Sequence, residues 1–130
     1  MKKITFEQVK RKLKKVKFGK FDLIVAIGKG GIIPAALVQN ILNVDMHVLW
    51  LNFRDEKQCP RHKVPKLVKK ISFNFKGKRI LVVDDVSRTG ATLGKAKEIL
   101  KGSSVKTFVV DGCADYSLYN HKECVSWPWN

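Results

Sequence analysis

A chain of 130 residues has room for one domain with one core and is too short for two. An apolar fraction of 45% excludes a disordered polycation, while 26 Lys and Arg against 11 Asp and Glu leave a formal charge of +15. That excess points either to a polyanionic ligand or partner or to a Lys-rich solvated surface.

Three widely spaced cysteines, Cys59, Cys113 and Cys124, with no CxxC, argue against a disulfide framework or a structural zinc site and fit thiols in a reducing cytoplasm. No apolar leader follows Met1-Lys2-Lys3 and no run is long enough to span a bilayer, so a cytoplasmic protein without a membrane partner is expected.

Thr5, with Gln8 three residues on, predicts a capped first helix. Phe6, Val9, Leu13 and Val16 recur near helical spacing, and Gly19 is its expected end. This basic amphipathic helix suits packing on its own domain, a membrane surface or a nucleic acid. Phe21–Ile27 is a first strand, running into Gly28-Lys29-Gly30-Gly31. Pro34 suits the first turn of a helix reaching Asn40 or Leu42. Val44–Asn52 is a second strand. Arg54–Lys70 is polar, carries Pro60 and Pro65, and reads as a long excursion, either functional or a plain surface connection. Lys76-Gly77-Lys78 turns into the strand Arg79–Val83. A helix over Ala91–Leu100, a strand over Thr107–Asp111 and a short one at Tyr116–Leu118 follow, and the chain closes on Trp127-Pro128-Trp129-Asn130.

Leu23–Ile27 and Ile80–Val83 are apolar without alternation, as in strands buried on both faces. The expected fold is therefore α/β: a small doubly wound, mostly parallel sheet flanked by helices, in a single domain over residues 1–130. Such sheets take ligands at the carboxyl ends of their strands.

Two segments at those ends carry chemistry. Gly28–Gly31 allows close backbone approach, so main-chain N–H groups can converge on an oxyanion with Lys29 as a mobile charge; a plain tight turn explains it equally. It is neither a Walker A loop nor a GxGxxG fingerprint. In Ile80–Leu93, ILVVDDVSRTGATL, a strand delivers Asp84 and Asp85, which suit Mg²⁺ and ligand hydroxyls or, alternatively, a helix cap with a solvated neighbour. Thr89-Gly90-Ala91-Thr92 adds hydroxyls and N–H groups at a helix start, which suits a phosphate.

Ile80–Leu93 resembles the phosphoribosyl-pyrophosphate motif of the type I phosphoribosyltransferases. Ala26–Ala35, AIGKGGIIPA, resembles that family's pyrophosphate loop. Ala114–Asn130, ADYSLYNHKECVSWPWN, resembles the end of its small xanthine, guanine and hypoxanthine members. The resemblance implies phosphoribosyl transfer from phosphoribosyl pyrophosphate to a nucleobase, a purine by the nearest members, with Mg²⁺ as cofactor and a homodimer or larger homo-oligomer as the assembly. It implies catalytic roles for Asp84, Asp85 and Lys29, the two acids also holding the metal. Gly28, Gly30 and Gly31 would hold pyrophosphate. Ser87, Arg88, Thr89, Gly90, Ala91 and Thr92 would wrap the 5′-phosphate, with Asp111 and Val125 also on the substrate. Residues 54–75 would be a mobile hood offering Arg61, Lys63 or Lys66 to pyrophosphate, and the aromatic tail 114–130 would cap the base, close the core or form an oligomer contact.

Three positions depart from the 6-oxopurine members. Arg88 stands where they place an Asp, and an Arg is no base at neutral pH. Asp111 stands near their Lys; it is an acceptor, suited to an amino-bearing base or to a solvated turn. Cys124 stands where an aromatic stacks on the purine, and Asn130 replaces a closing acid. The alternative function is a non-catalytic sensor of phosphoribosyl pyrophosphate that binds nucleic acid.

Overall fold

The structure, a computed structural model, describes residues 2–52 and 66–130. Its elements in chain order are β1 (Lys2–Lys3), α1 (Phe6–Leu13), β2 (Leu23–Gly28), α2 (Ile32–Leu42), β3 (Asp45–Asn52), β4 (Lys66–Leu67), β5 (Arg79–Ser87), α3 (Ala91–Ile99), β6 (Ser104–Gly112), β7 (Tyr116–Tyr119) and β8 (Val125–Ser126). Six strands form one sheet in the order β4-β3-β2-β5-β6-β7. All its pairings are parallel except that of β4, which lies antiparallel on the β3 edge. β1 and β8 form a separate parallel pair.

The unbroken apolar strands are explained by a core on each face of the sheet. On one face Ile24, Ala26, Leu81, Val83, Phe108 and Val110 pack under α1 and α2 through Val9, Leu13, Ala35 and Val38. On the other Leu23, Val25, Ile27, Ile80, Val82 and Val109 pack under α3 through Leu93, Ala96 and Leu100. The two sets interleave along each strand, as a period of two requires. At the far end of the sheet from the glycine turn, Arg79 grips Asp22 with Nε at 3.0 Å and a terminal nitrogen at 2.8 Å, which fixes the start of β2 against the start of β5.

Several boundaries differ from expectation. α1 has the predicted cap, Thr5 Oγ1 accepting from the Gln8 amide at 3.1 Å and Gln8 answering on the Thr5 amide at 2.8 Å. It stops at Leu13, well before Gly19. Lys10 with Lys14, and Arg11 with Lys15, are like charges one turn apart, which disfavours continuation. α2 starts at Ile32, so Pro34 sits inside the first turn, where no intrahelical N–H is lost. β5 runs on through Asp84 and Asp85 to Ser87, because β6 runs equally far: Asp84 pairs with Val109 and Ser87 with Gly112. The acids therefore belong to the strand and not to a turn after it. Part of the expected excursion returns as β4 beside Leu51 and Asn52.

Candidate active site

Both chemistry-bearing segments meet at the carboxyl ends of β2 and β5. The Gly28–Lys29 peptide is cis. The turn closes with Gly31 N–H donating to the Ile27 carbonyl at 2.8 Å and Ile32 N–H to the Lys29 carbonyl at 3.1 Å, and Lys29 is exposed. A Cβ on Gly30 would lie 2.7 Å from Asp85 Oδ2, and one on Gly31 would overlap the Val83 carbonyl. These glycines are thus needed because the turn lies directly on the acidic end of β5.

Asp84 is buried, and its Oδ1 accepts from the Asp85 amide at 2.8 Å; Asp85 Oδ1 accepts in turn from the Val86 amide at 2.7 Å. Burial first, and the neighbouring Asp85 second, push the Asp84 carboxyl well above the ordinary carboxylate range. The pair is thus short of positive charge, the condition a divalent cation relieves. Among the described residues no three His, Cys, Asp or Glu side chains gather as a cation site. The two adjacent carboxylates still fit Mg²⁺, which keeps water and phosphate ligands and needs few from protein.

Ser87, nearly buried, ends β5, and Gly90 at φ 79° opens α3. Thr89 Oγ1 accepts from the Ala91 amide at 3.2 Å. α3 has no side-chain cap on Gly90 and no acid in its first turn, so Ala91 and Thr92 begin an electropositive helix end without an internal counter-charge.

The Arg88 side chain donates to the His121 carbonyl at 2.6 Å, with a second nitrogen 3.5 Å from Asp111 Oδ2. Asp111 is fully buried, which corrects the reading of it as a solvated turn acid. Its Oδ1 accepts from the His121 amide at 2.8 Å and its Oδ2 faces His121 Nδ1 at 3.1 Å. His121 was not among the expected site residues. The signal for it is Asp111 itself: an acid ending an apolar strand needs a buried partner, and His121 is nearby in the chain.

Val125 pairs with Lys2 at β1 and is half-buried, and Cys124 and Cys113 are exposed. Trp127 is buried in the core and stacks on Trp129 with ring centroids 5.5 Å apart, so this part of the tail closes the core. Of the expected hood, 53–65 lie outside the described residues, Arg61 and Lys63 among them, as does the side chain of Lys66. Lys69 lies over the Trp50 ring, 4.5 Å from its centre. No described helix is long and apolar enough to cross a membrane.

Residues 3–114 match the model of the phosphoribosyl transferase domain. A xanthine-guanine phosphoribosyltransferase of Nitratidesulfovibrio vulgaris is 29% identical over 104 residues, covering 75% of this chain and 61% of its own. The chain thus spans about 61% of the length of the curated relatives it matches. A purine phosphoribosyltransferase from Pyrococcus horikoshii superposes with a TM-score of 0.80 at 27% identity, over 98% of this chain and 92% of that one. The xanthine-guanine-hypoxanthine phosphoribosyltransferase of Helicobacter pylori does so at 0.73 and 16%, over 98% and 90%, a likeness of fold.

Proposed function

The chain belongs to the phosphoribosyl transferase domain family, and from that premise we propose that it transfers a phosphoribosyl group from phosphoribosyl pyrophosphate to a purine base. The C1–O bond to pyrophosphate breaks, a C1–N bond to the base forms, and a nucleoside 5′-monophosphate and pyrophosphate leave. The observation that carries this reading is the contact of Gly30 with Asp85, a separation only glycine permits. It joins the two segments that a single ribose bearing pyrophosphate at C1 would have to touch together.

In this reading the Gly28–Gly31 turn, whose Gly31 N–H is already bonded to the Ile27 carbonyl, offers its remaining N–H groups and the exposed Lys29 to pyrophosphate and stabilises the charge it carries away. Asp84 and Asp85 orient the ribose hydroxyls as positive character develops at C1. The same pair would hold Mg²⁺, which would supply positive charge against the departing pyrophosphate. Thr89, Gly90, Ala91 and Thr92 hold the 5′-phosphate at the start of α3, with Ser87 behind them. Val125 borders the base from the tail. The purine assignment draws on the names of the Nitratidesulfovibrio and Pyrococcus relatives. Ile33 and Ile41, large and exposed on the uncharged α2, support assembly into a homodimer or larger oligomer.

A panel of nucleobases, each incubated with phosphoribosyl pyrophosphate and Mg²⁺, tests the reading through pyrophosphate release. Turnover of at least one purine is expected, and turnover of none contradicts it. The second reading is the ligand-sensing nucleic-acid binder. Exposed Lys10, Arg11, Lys12, Lys14 and Lys15, with no acidic partner among the described residues, favour it. Salt-dependent RNA binding that phosphoribosyl pyrophosphate modulates, without turnover, would support it.

A further inference from the structure

Asp111 has no exposed surface, and a carboxylate taken so far out of water needs both oxygens bonded. Oδ1 is taken by the His121 amide, and Oδ2 by His121 Nδ1 at 3.1 Å and Arg88 at 3.5 Å. Arg88 also holds the His121 carbonyl at 2.6 Å. One carboxylate on β6 thereby ties the loop after β5 to the tail segment before β8. The same contacts set the imidazole. Lys2 Nζ stands 3.5 Å from His121 Nε2, and an ammonium only donates. The Asp111 carboxylate against Nδ1 calls for a proton on that nitrogen, the donor that faces it.

Asp111, with no exposed surface, is out of a ligand's reach. Arg88 is different. Its side chain is 42% exposed, and its five N–H donors outnumber the two contacts the network makes. It also stands between Ser87 and Thr89, inside the segment assigned to the ribose phosphate.

We propose that Asp111 is a positioning residue for base selection: through Arg88 and His121 it holds hydrogen-bond donors at the rim of the site, which favour a base edge rich in acceptors over an amino-bearing edge. The proposal rests on the transferase reading above. A carboxylate at position 88 would accept hydrogen bonds and so favour the amino edge. Here that position is a cation, and the carboxylate that faces it, Asp111, is buried.

The test is calorimetry on the full chain with Mg²⁺, comparing ribose 5-phosphate with inosine and adenosine 5′-monophosphates. The ratio of nucleotide to ribose 5-phosphate affinity isolates the contribution of the base. Arg88→Gln and Asp111→Asn are each expected to lower the inosine ratio about tenfold, the weight of one charge-assisted hydrogen bond. Arg88→Glu is expected to turn the preference toward adenosine 5′-monophosphate. The Asp111→Asn effect is the decisive one, because a group with no exposed surface cannot touch the base; the ¹⁵N shifts of the His121 ring are expected to move with it. If Asp111→Asn does not fold, Arg88→Gln and His121→Gln decide. An unchanged inosine ratio overturns the proposal and leaves the transferase reading standing, and so does a loss shared equally by ribose 5-phosphate. Absence of ribose 5-phosphate binding by the unaltered chain sinks both.

Discussion

Gly30 and Asp84 bear the main constraints at the scale of single residues. Gly30→Ala places a methyl group 2.7 Å from the Asp85 carboxylate, so either the turn or the acid must move. The expected outcome is a loss of about 1–3 kcal/mol in stability, as for other overpacked sites, with a fall in phosphoribosyl pyrophosphate affinity of tenfold or more on the order of one lost charged contact. Chemical denaturation and calorimetry on the same variant check both. Asp84 is held above its ordinary range by burial and by Asp85. Between its unfolded and folded values the folded state binds the extra proton. Stability therefore falls as pH rises through that window, by up to about 1.4 kcal/mol per pH unit, and levels above it. Asp84→Asn keeps the acceptor for the Asp85 amide and removes the charge. It is expected to flatten the fall in melting temperature with pH above the ordinary carboxylate range, to raise it at the upper end, and to weaken ligand binding. A variant that melts lower than the parent at pH 8 contradicts this account of Asp84.

β5 is the element on which the rest depends. It sits between β2 and β6 and carries a core residue on each face before it delivers the two acids. Leu81 is completely buried. Leu81→Ala is expected to cost about 2–5 kcal/mol by denaturant titration, and a cost below about 1 kcal/mol would show that β5 is not the central packed strand described. The strand's existence was legible in the sequence because Ile80–Val83 is apolar without alternation. Its true end was not, because pairing with β6 carries it past the acids, and pairing is non-local. The same holds for β4 and for the β1–β8 pair, two residues each, which have no period to read. α1 shows the reverse limit. Its cap was legible in Thr5 and Gln8, while its early stop depends on charge repulsion that hydrophobic spacing does not register.

For the molecule as a whole, the doubly wound sheet and the meeting of two anion-binding turns at one edge follow from strand, turn and helix order alone. What the order could not show is the arrangement on the tail side. Arg88 reads as part of a phosphate loop and Asp111 as a turn acid, yet the fold brings them to one another and to His121, because a buried carboxylate must find donors wherever the chain passes. Under the proposed transferase reading, the charge of +15 would draw a polyanionic substrate toward a candidate site whose carboxylate pair is itself acidic. The claim at the centre is that Gly28–Gly31, Asp84, Asp85 and Thr89–Thr92 form one ribose-phosphate site. Calorimetric titration of the full chain with phosphoribosyl pyrophosphate, with and without Mg²⁺, tests it most directly. The account predicts one site per chain, tighter with Mg²⁺ and weakened by Asp85→Asn; equal heats for the parent and that variant, or no saturable binding with Mg²⁺ present, would contradict it.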